Sequence, residues 1–332
     1  MIEEKGTSHK LDELFRSAKE FARSKRYMEM MDFYRRMKHL GPYNAALANI
    51  QRPGAFYLQT ERYWSETYKR KIKDTASPVI ILMPFGPIEF LYDLSDTYVD
   101  SEIWKSEQDI TEHIERQFEL KNEFNGNALS MLESNLSIHG VDFVKRNFGS
   151  AQAARIRMAD KSHSIKVEFK KRTLKMMATF LIEVNKDLQD GGVFQSMCHE
   201  LGHLLCHHMV APGFSSWKVR RLTPAEEEFE AESVAHIVCC YLGYQSSSAE
   251  YLSDYCKSYD SIPVGVSPDY IFNAATVILQ MITRKMKATD GLLYKHNHDY
   301  RRIIDQIKAE EDGLKKNKKT KSNEDYPRLT GF

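Results

Sequence analysis

The chain has 332 residues, 42% of them hydrophobic and 28% charged, with a formal net charge of +1. That apolar content suffices for one large or two modest cores, which excludes a disordered or fibrous chain, and the near-neutral balance excludes a histone-like polycation. No apolar run nears the roughly 20 residues of a membrane-spanning helix, the start MIEEKGTSHK lacks an apolar h-region, and the five cysteines include the adjacent Cys239 and Cys240, so a reducing cytoplasmic setting with no membrane partner is expected.

Residues 8–40 read as helix. Leu11, Leu14, Phe15, Ala18, Phe21 and Ala22 recur near a 3.6-residue period, and a second amphipathic stretch over 28–37 carries Arg35, Arg36 and Lys38 on its outer side. Gly41-Pro42 ends it, a short helix is expected over 44–50, and Arg52-Pro53-Gly54 reads as a turn. Residues 56–58 and 79–83 read as strands with a helix over 63–71 between them. Residues 1–80 hold 16 Lys/Arg against 10 Asp/Glu, an excess of six where the whole chain has one.

Residues 102–135 are polar and helical in pattern, and 141–157 suggest a turn in an irregular sheet. The clearest strands are 164–169 and 177–184. The clearest helices are 194–209, 224–241 and 268–286, the last opened by Ser267-Pro268, an N-cap followed by proline. The segment after Asp312 is Lys-rich and polar, and reads as frayed. These elements predict an α+β chain: a small mixed unit over 1–110, a helical connector over 111–134, a second unit over 135–290 and a polar tail over 291–332.

Within the helix at 194–209 stands His199-Glu200-Leu201-Gly202-His203. Helical residues four apart differ by about 40° in direction and about 6 Å in height, so both imidazoles can reach one zinc ion while Glu200 approaches the same point without being a ligand. With 12 His and 46 acidic residues, chance would supply roughly 0.06 such patterns in the chain. A catalytic zinc site needs a third protein ligand and one open position. Cys206 and Met209 stand where a metzincin would place glycine and a third histidine, so that class is excluded.

A gluzincin-like site needs a glutamate from a second helix. The stretch 226–235, EEEFEAESVA, offers Glu228 and Glu232 on one helix face, one as ligand and the other bonding a ligand histidine from behind. Glu230, on another face, is the rival ligand. The bland reading of the cluster is a solvated first turn favoured by the helix dipole, which suits Glu226 and Glu227 better than Glu228 and Glu232. Cys206 and His207 fall near the face of His199 and His203 and are substitute ligands or regulators, or simply packed or exposed at the helix end. Cys198 and His208 are read as pointing elsewhere, and His296 and His298 as surface residues. Bound zinc would acidify a water and polarise a scissile carbonyl, with Glu200 taking the water's proton and passing it to the leaving amine. The strand over 179–184 is either an edge for an extended peptide substrate or an ordinary core strand.

The segment FLIEVNKDLQDGGVFQSMCHELGHLLCHH, followed by EEFEAESVAHIVCCYLG, resembles the ImmA/IrrE-type zinc metallopeptidase domain, with its strand, HExxH helix and ExEAxxxA helix. Within that group the chain is similar to ArdC-type antirestriction proteins. Tyr43-Asn44-Ala45, Gln51-Arg52-Pro53-Gly54-Ala55, Trp64, residues 81–84 and the stretch from Tyr92-Asp93 to Thr97 follow the ArdC N-terminal pattern. The resemblance covers about residues 10–285. It implies a single-stranded-DNA-binding N-terminal domain joined to a metallopeptidase-like domain that cleaves a regulatory or defence protein, or else an antirestriction module whose metal site is structural or vestigial.

One departure is the run Tyr68-Lys69-Arg70-Lys71-Ile72-Lys73-Asp74, which keeps the charge of the family's basic turn without its glycines. Arg52, Arg62, Trp64, Lys69, Arg70, Lys71 and Lys73 are the candidate DNA contacts, cations for phosphates and an aromatic face for a base. The competing reading makes the aromatics a small core and the cations its solvated outside.

Overall fold

The computed structural model describes residues 24–83, 88–99, 107–149 and 152–324, with side chains through 311. Helix α1 (Ser24–Arg36) buries Tyr27, Met30, Met31, Phe33 and Tyr34, a stripe at three- and four-residue spacing that needs a core to face. Arg35 and Arg36 lie in its last turn, beside the negative end of the helix dipole, and both pair with Asp32. The helix expected over 8–23 lies outside the described residues. Helix α2 (Pro42–Gln51) opens with proline in its first turn.

The N-terminal strands are short. Strands β1 (Leu58–Gln59), β3 (Val79–Ile81) and β4 (Glu89–Asp93) form an antiparallel sheet with β4 in the middle. Helix α3 (Glu61–Tyr68) starts at Thr60, whose hydroxyl accepts from the Tyr63 N–H, and ends at Lys69 in the left-handed region, φ 54°. Strand β2 (Arg70–Ile72) pairs with β5 (Thr97–Val99). The stretch expected as a connector holds two helices, α4 (Glu107–Arg116) and α5 (Asn127–Asn135), with a non-helical break between them.

The second sheet is built from β6 (Val141–Arg146), β7 (Ala154–Met158) and β10 (Phe180–Asn185), with hairpin β8 (Ser164–Phe169) and β9 (Arg172–Met177) beside it. The single strand expected over 177–184 therefore splits at Ala178 and Thr179. β10 lies at the centre, parallel to β6 and antiparallel to β7, and all six of its residues are buried. Both its edges are filled, so it cannot take an added strand. The outer edges of this sheet belong to β6 and β7.

The helices that follow are α6 (Asp190–Leu205), α7 (Pro224–Leu242), α8 (Ser248–Ser258), α9 (Pro268–Thr283), α10 (Leu292–His296) and α11 (His298–Glu324). α7 begins with a capping box, Thr223 and Glu226 each bonding the other's backbone N–H, with Pro224 in the first turn. α9 is capped by Ser267. The C-terminal stretch contributes to the core, where Tyr300 and Ile304 are buried.

α6 and α7 pack at close range because Gly202 has no side chain. A Cβ there would stand 3.0 Å from Ala231 Cα. α1 lies against α7 and α8, and α2 against α9, so helices from both halves of the described residues feed one continuous hydrophobic cluster. Among the described residues no helix is long and apolar enough to cross a membrane.

Candidate metal centre

His199 and His203 project from successive turns of α6, and Glu228 meets them from the first half of α7. His199 Nε2 and His203 Nε2 are 3.1 Å apart. The two Glu228 oxygens lie 3.3 Å from His199 Nε2 and 3.5 Å from His203 Nε2. A tetrahedral ion with bonds of about 2.0–2.1 Å holds its ligand atoms about 3.3–3.4 Å apart. The two histidine nitrogens lie near that spacing and each faces its own Glu228 oxygen at a similar distance, and the donor set, two imidazoles and a carboxylate, suits a borderline cation such as zinc.

Charge points the same way. Burial alone would disfavour a charged His199, but hydrogen bonds to Glu228 and Glu232 outweigh it and raise the ring to about 10. The His199 imidazole beside it holds the Glu228 carboxyl well below the usual carboxylate range. The pocket thus favours positive charge between these residues.

Glu232, one turn beyond Glu228, places Oε1 3.5 Å from His199 Nδ1. It sits behind the histidine, as a residue that orients a ligand does. Glu200 projects from α6 towards β7, and its Oε2 accepts from the Ile156 N–H at 2.8 Å. Ile156 pairs with Ile182 of β10, and an N–H directed at Glu200 is one turned away from β10 towards the open edge. Burial pushes the Glu200 carboxyl up, against the pull of the two histidines. Two depressions of about 370 and 440 Å³ meet at His199, Glu200 and Glu228, and the larger runs along Ala154, Arg155 and Ile156.

Glu230, the rival ligand, is not in this group. It points to the opposite side of α7, is fully buried, and accepts from Arg220, from the Ser267 N–H at 2.7 Å and from His208 Nε2 at 2.9 Å. A straight helix through 209 places His208 away from the metal face, but α6 stops at Leu205. His207 takes a left-handed φ of 64°, the His207 N–H bonds Leu204 O, and the His208 N–H bonds His203 O. This is a Schellman turn. It swings His208 back so that its Nδ1 lies 3.0 Å from His203 Nδ1, and stacks His207 on Trp217, with ring centroids 3.9 Å apart.

Sequence reasoning missed His208 and Arg220. The available signal was Cys206-His207-His208 just past the metal helix, which becomes readable only once the turn is known. Cys206, His208 and Glu230 also lie close enough to share an ion, but the Arg220 guanidinium already occupies both Glu230 oxygens, leaving no seat for a cation.

The candidate DNA residues fall into two groups, internal and surface. Trp64 is fully buried and donates its indole N–H to Tyr92 O at 2.8 Å, so it offers no face to a base. Arg70, 1% exposed, is consumed by Thr97 and by both oxygens of Glu107. These two leave the set because the small sheet uses them as its core. Arg52 pairs with Asp96, Arg62 with Glu66, and Lys69 and Lys73 bond backbone carbonyls at Glu66 and Ser95, while Lys71 is exposed.

In comparisons with known proteins, no family model, no curated protein and no solved structure matches the chain.

Proposed function

We propose that the chain is a zinc-dependent endopeptidase, with His199, His203 and Glu228 holding the metal and Glu200 as general base. The observation that carries this reading is the mutual 3.1–3.5 Å spacing of the three donor groups beside a glutamate in a cleft. The resemblance to ImmA/IrrE-type metallopeptidases supports the same assignment. Bound zinc supplies Lewis acidity for an attacked carbonyl and its neighbouring water.

The chain's own residues do the rest. Glu232 fixes the His199 ring. Glu200, its carboxyl pushed up by burial, takes a proton from the attacking water and returns it to the leaving amine. An extended peptide aligns along the open edge of β7, where Ala154 and Ile156 line the cleft. Pairing there competes with Glu200 for the Ile156 N–H and so frees the base as substrate arrives.

Glu200→Gln is expected to keep zinc, measured by elemental analysis, while hydrolysis of an unfolded protein substrate falls at least 100-fold, as loss of general-base catalysis does. His203→Ala is expected to lose the metal. Retained hydrolysis in Glu200→Gln would sink the peptidase reading.

Linked binding of single-stranded DNA, which the ArdC resemblance implies, would run over Arg52, Arg62, Lys69, Lys71 and Lys73, because Trp64 and Arg70 are internal. Its affinity should fall steeply with salt. A flat salt response removes it.

A further inference from the structure

Behind His203 runs a chain of polar groups that none of the chemistry above uses: the partly buried Arg220 and the buried Glu230 and His208. We infer that this chain is a tautomer lock, positioning residues that keep the proton of His203 on Nδ1 and turn the Nε2 lone pair towards the metal. The inference rests on the metal-site reading and follows from hydrogen-bond direction.

Glu230 receives the Arg220 Nη2 N–H at 2.8 Å on Oε1, a second Arg220 N–H on Oε2, and the Ser267 N–H at 2.7 Å. A carboxylate so engaged only accepts. His208 Nε2, 2.9 Å away, is therefore the donor. With Nε2 donating, His208 Nδ1 is a lone-pair acceptor. The atom facing it at 3.0 Å is His203 Nδ1, which then carries the hydrogen. Only Nε2 of His203 is left with a lone pair, and it faces His199 Nε2 and Glu228.

The lock is held in place by its surroundings. Arg220 lies 4.2 Å from the centre of the Tyr270 ring and donates to Gly265 O and Cys206 O, so the guanidinium cannot leave Glu230 without breaking three other contacts. The Schellman turn at His207 fixes where His208 returns.

The test uses the full chain with zinc in chelator competition, together with long-range nitrogen–proton NMR of the metal-free, histidine-labelled protein. In the wild type His203, assigned by comparison with His203→Ala, is expected to be protonated on Nδ1. His208→Phe fills the volume but neither donates nor accepts, and should weaken zinc binding about 10–100-fold and leave His203 as mixed tautomers. His208→Gln, whose amide offers an acceptor and a donor, should recover most of that loss, which a packing role would not predict. Glu230 stays paired with Arg220 in both variants.

Zinc affinity in His208→Phe equal to wild type would overturn the lock, as would equal loss in the Phe and Gln variants or a wild-type His203 protonated on Nε2. If His208→Phe does not fold, the wild-type spectrum and His208→Gln decide alone. A wild type that takes up no zinc overturns the metal reading, and with it the lock's purpose, while the spectrum still reports the tautomer separately.

Discussion

Glu183 lies in the middle of β10 with a 3% exposed side chain, under three guanidinium groups. Arg146 Nε is 3.2 Å from it, Arg155 Nε 2.6 Å and Arg157 Nε 3.1 Å. Burial pushes its carboxyl up, but Arg157 and Arg155 more than offset that and bring it down to about 2. An unfolded glutamate titrates near 4.3, so the native state takes up the proton less readily. The stabilisation is complete above about pH 5 and is lost as the pH falls towards about 2. The arginines are a third to a half exposed and screened by solvent, so about 1–2 kcal/mol is at stake. Urea midpoints at pH 6 and pH 3 should differ less in Glu183→Gln than in wild type, and equal slopes would show that the cluster contributes nothing.

The residues that local geometry controls were legible in the chain. His199 and His203 share a face because four residues make about one turn, and Glu228 and Glu232 share one for the same reason, with Glu230 opposite. His208 was not legible, since one left-handed residue at His207 reverses the direction in which it points. Trp64 and Arg70 were ambiguous because the composition of a buried aromatic cluster and of a stacking platform is the same.

Among the elements, α6 and α7 bring Glu228 to the histidines only because of their close approach at Gly202. In Gly202→Ala the added methyl meets backbone at Ala231 rather than a yielding side chain. The overpacking cost of about 1–3 kcal/mol exceeds the gain of up to about 1 kcal/mol in helix propensity. The variant should melt earlier and bind zinc less tightly, because Glu228 moves away with α7. Unchanged melting with weakened zinc would mean that the helices separate without loss of packing energy, contrary to this expectation.

Helix positions were readable from period and caps: Thr223-Pro224 and Ser267-Pro268 mark the starts of α7 and α9. Strand roles were not. Whether a strand is central or at an edge depends on partners distant in sequence, which is why the stretch over 179–184 stayed open between edge and core and β7 was not singled out.

For the whole molecule, the α+β class was legible from the succession of elements, but not the way α1 joins the second half. Tyr27 donates to Ser233 Oγ at 2.6 Å and its ring lies 5.1 Å from Phe229, both on α7. Ser233 in turn donates to Phe229 O. Tyr27→Phe should cost about 1 kcal/mol, the worth of one buried hydrogen bond, and Tyr27→Ala about 3–5 kcal/mol, the cost of emptying an aromatic site. Calorimetry of either variant should still give a single transition, because one core serves both halves. Two separated peaks would contradict that.

The attachment of Tyr27 has a mechanical consequence. The helix that bears Glu228 and Glu232 on its front is gripped from behind by α1. A load placed on α1, by a bound polymer or by a neighbouring molecule, arrives at the back of the same rod whose front sets the distance to the two histidines.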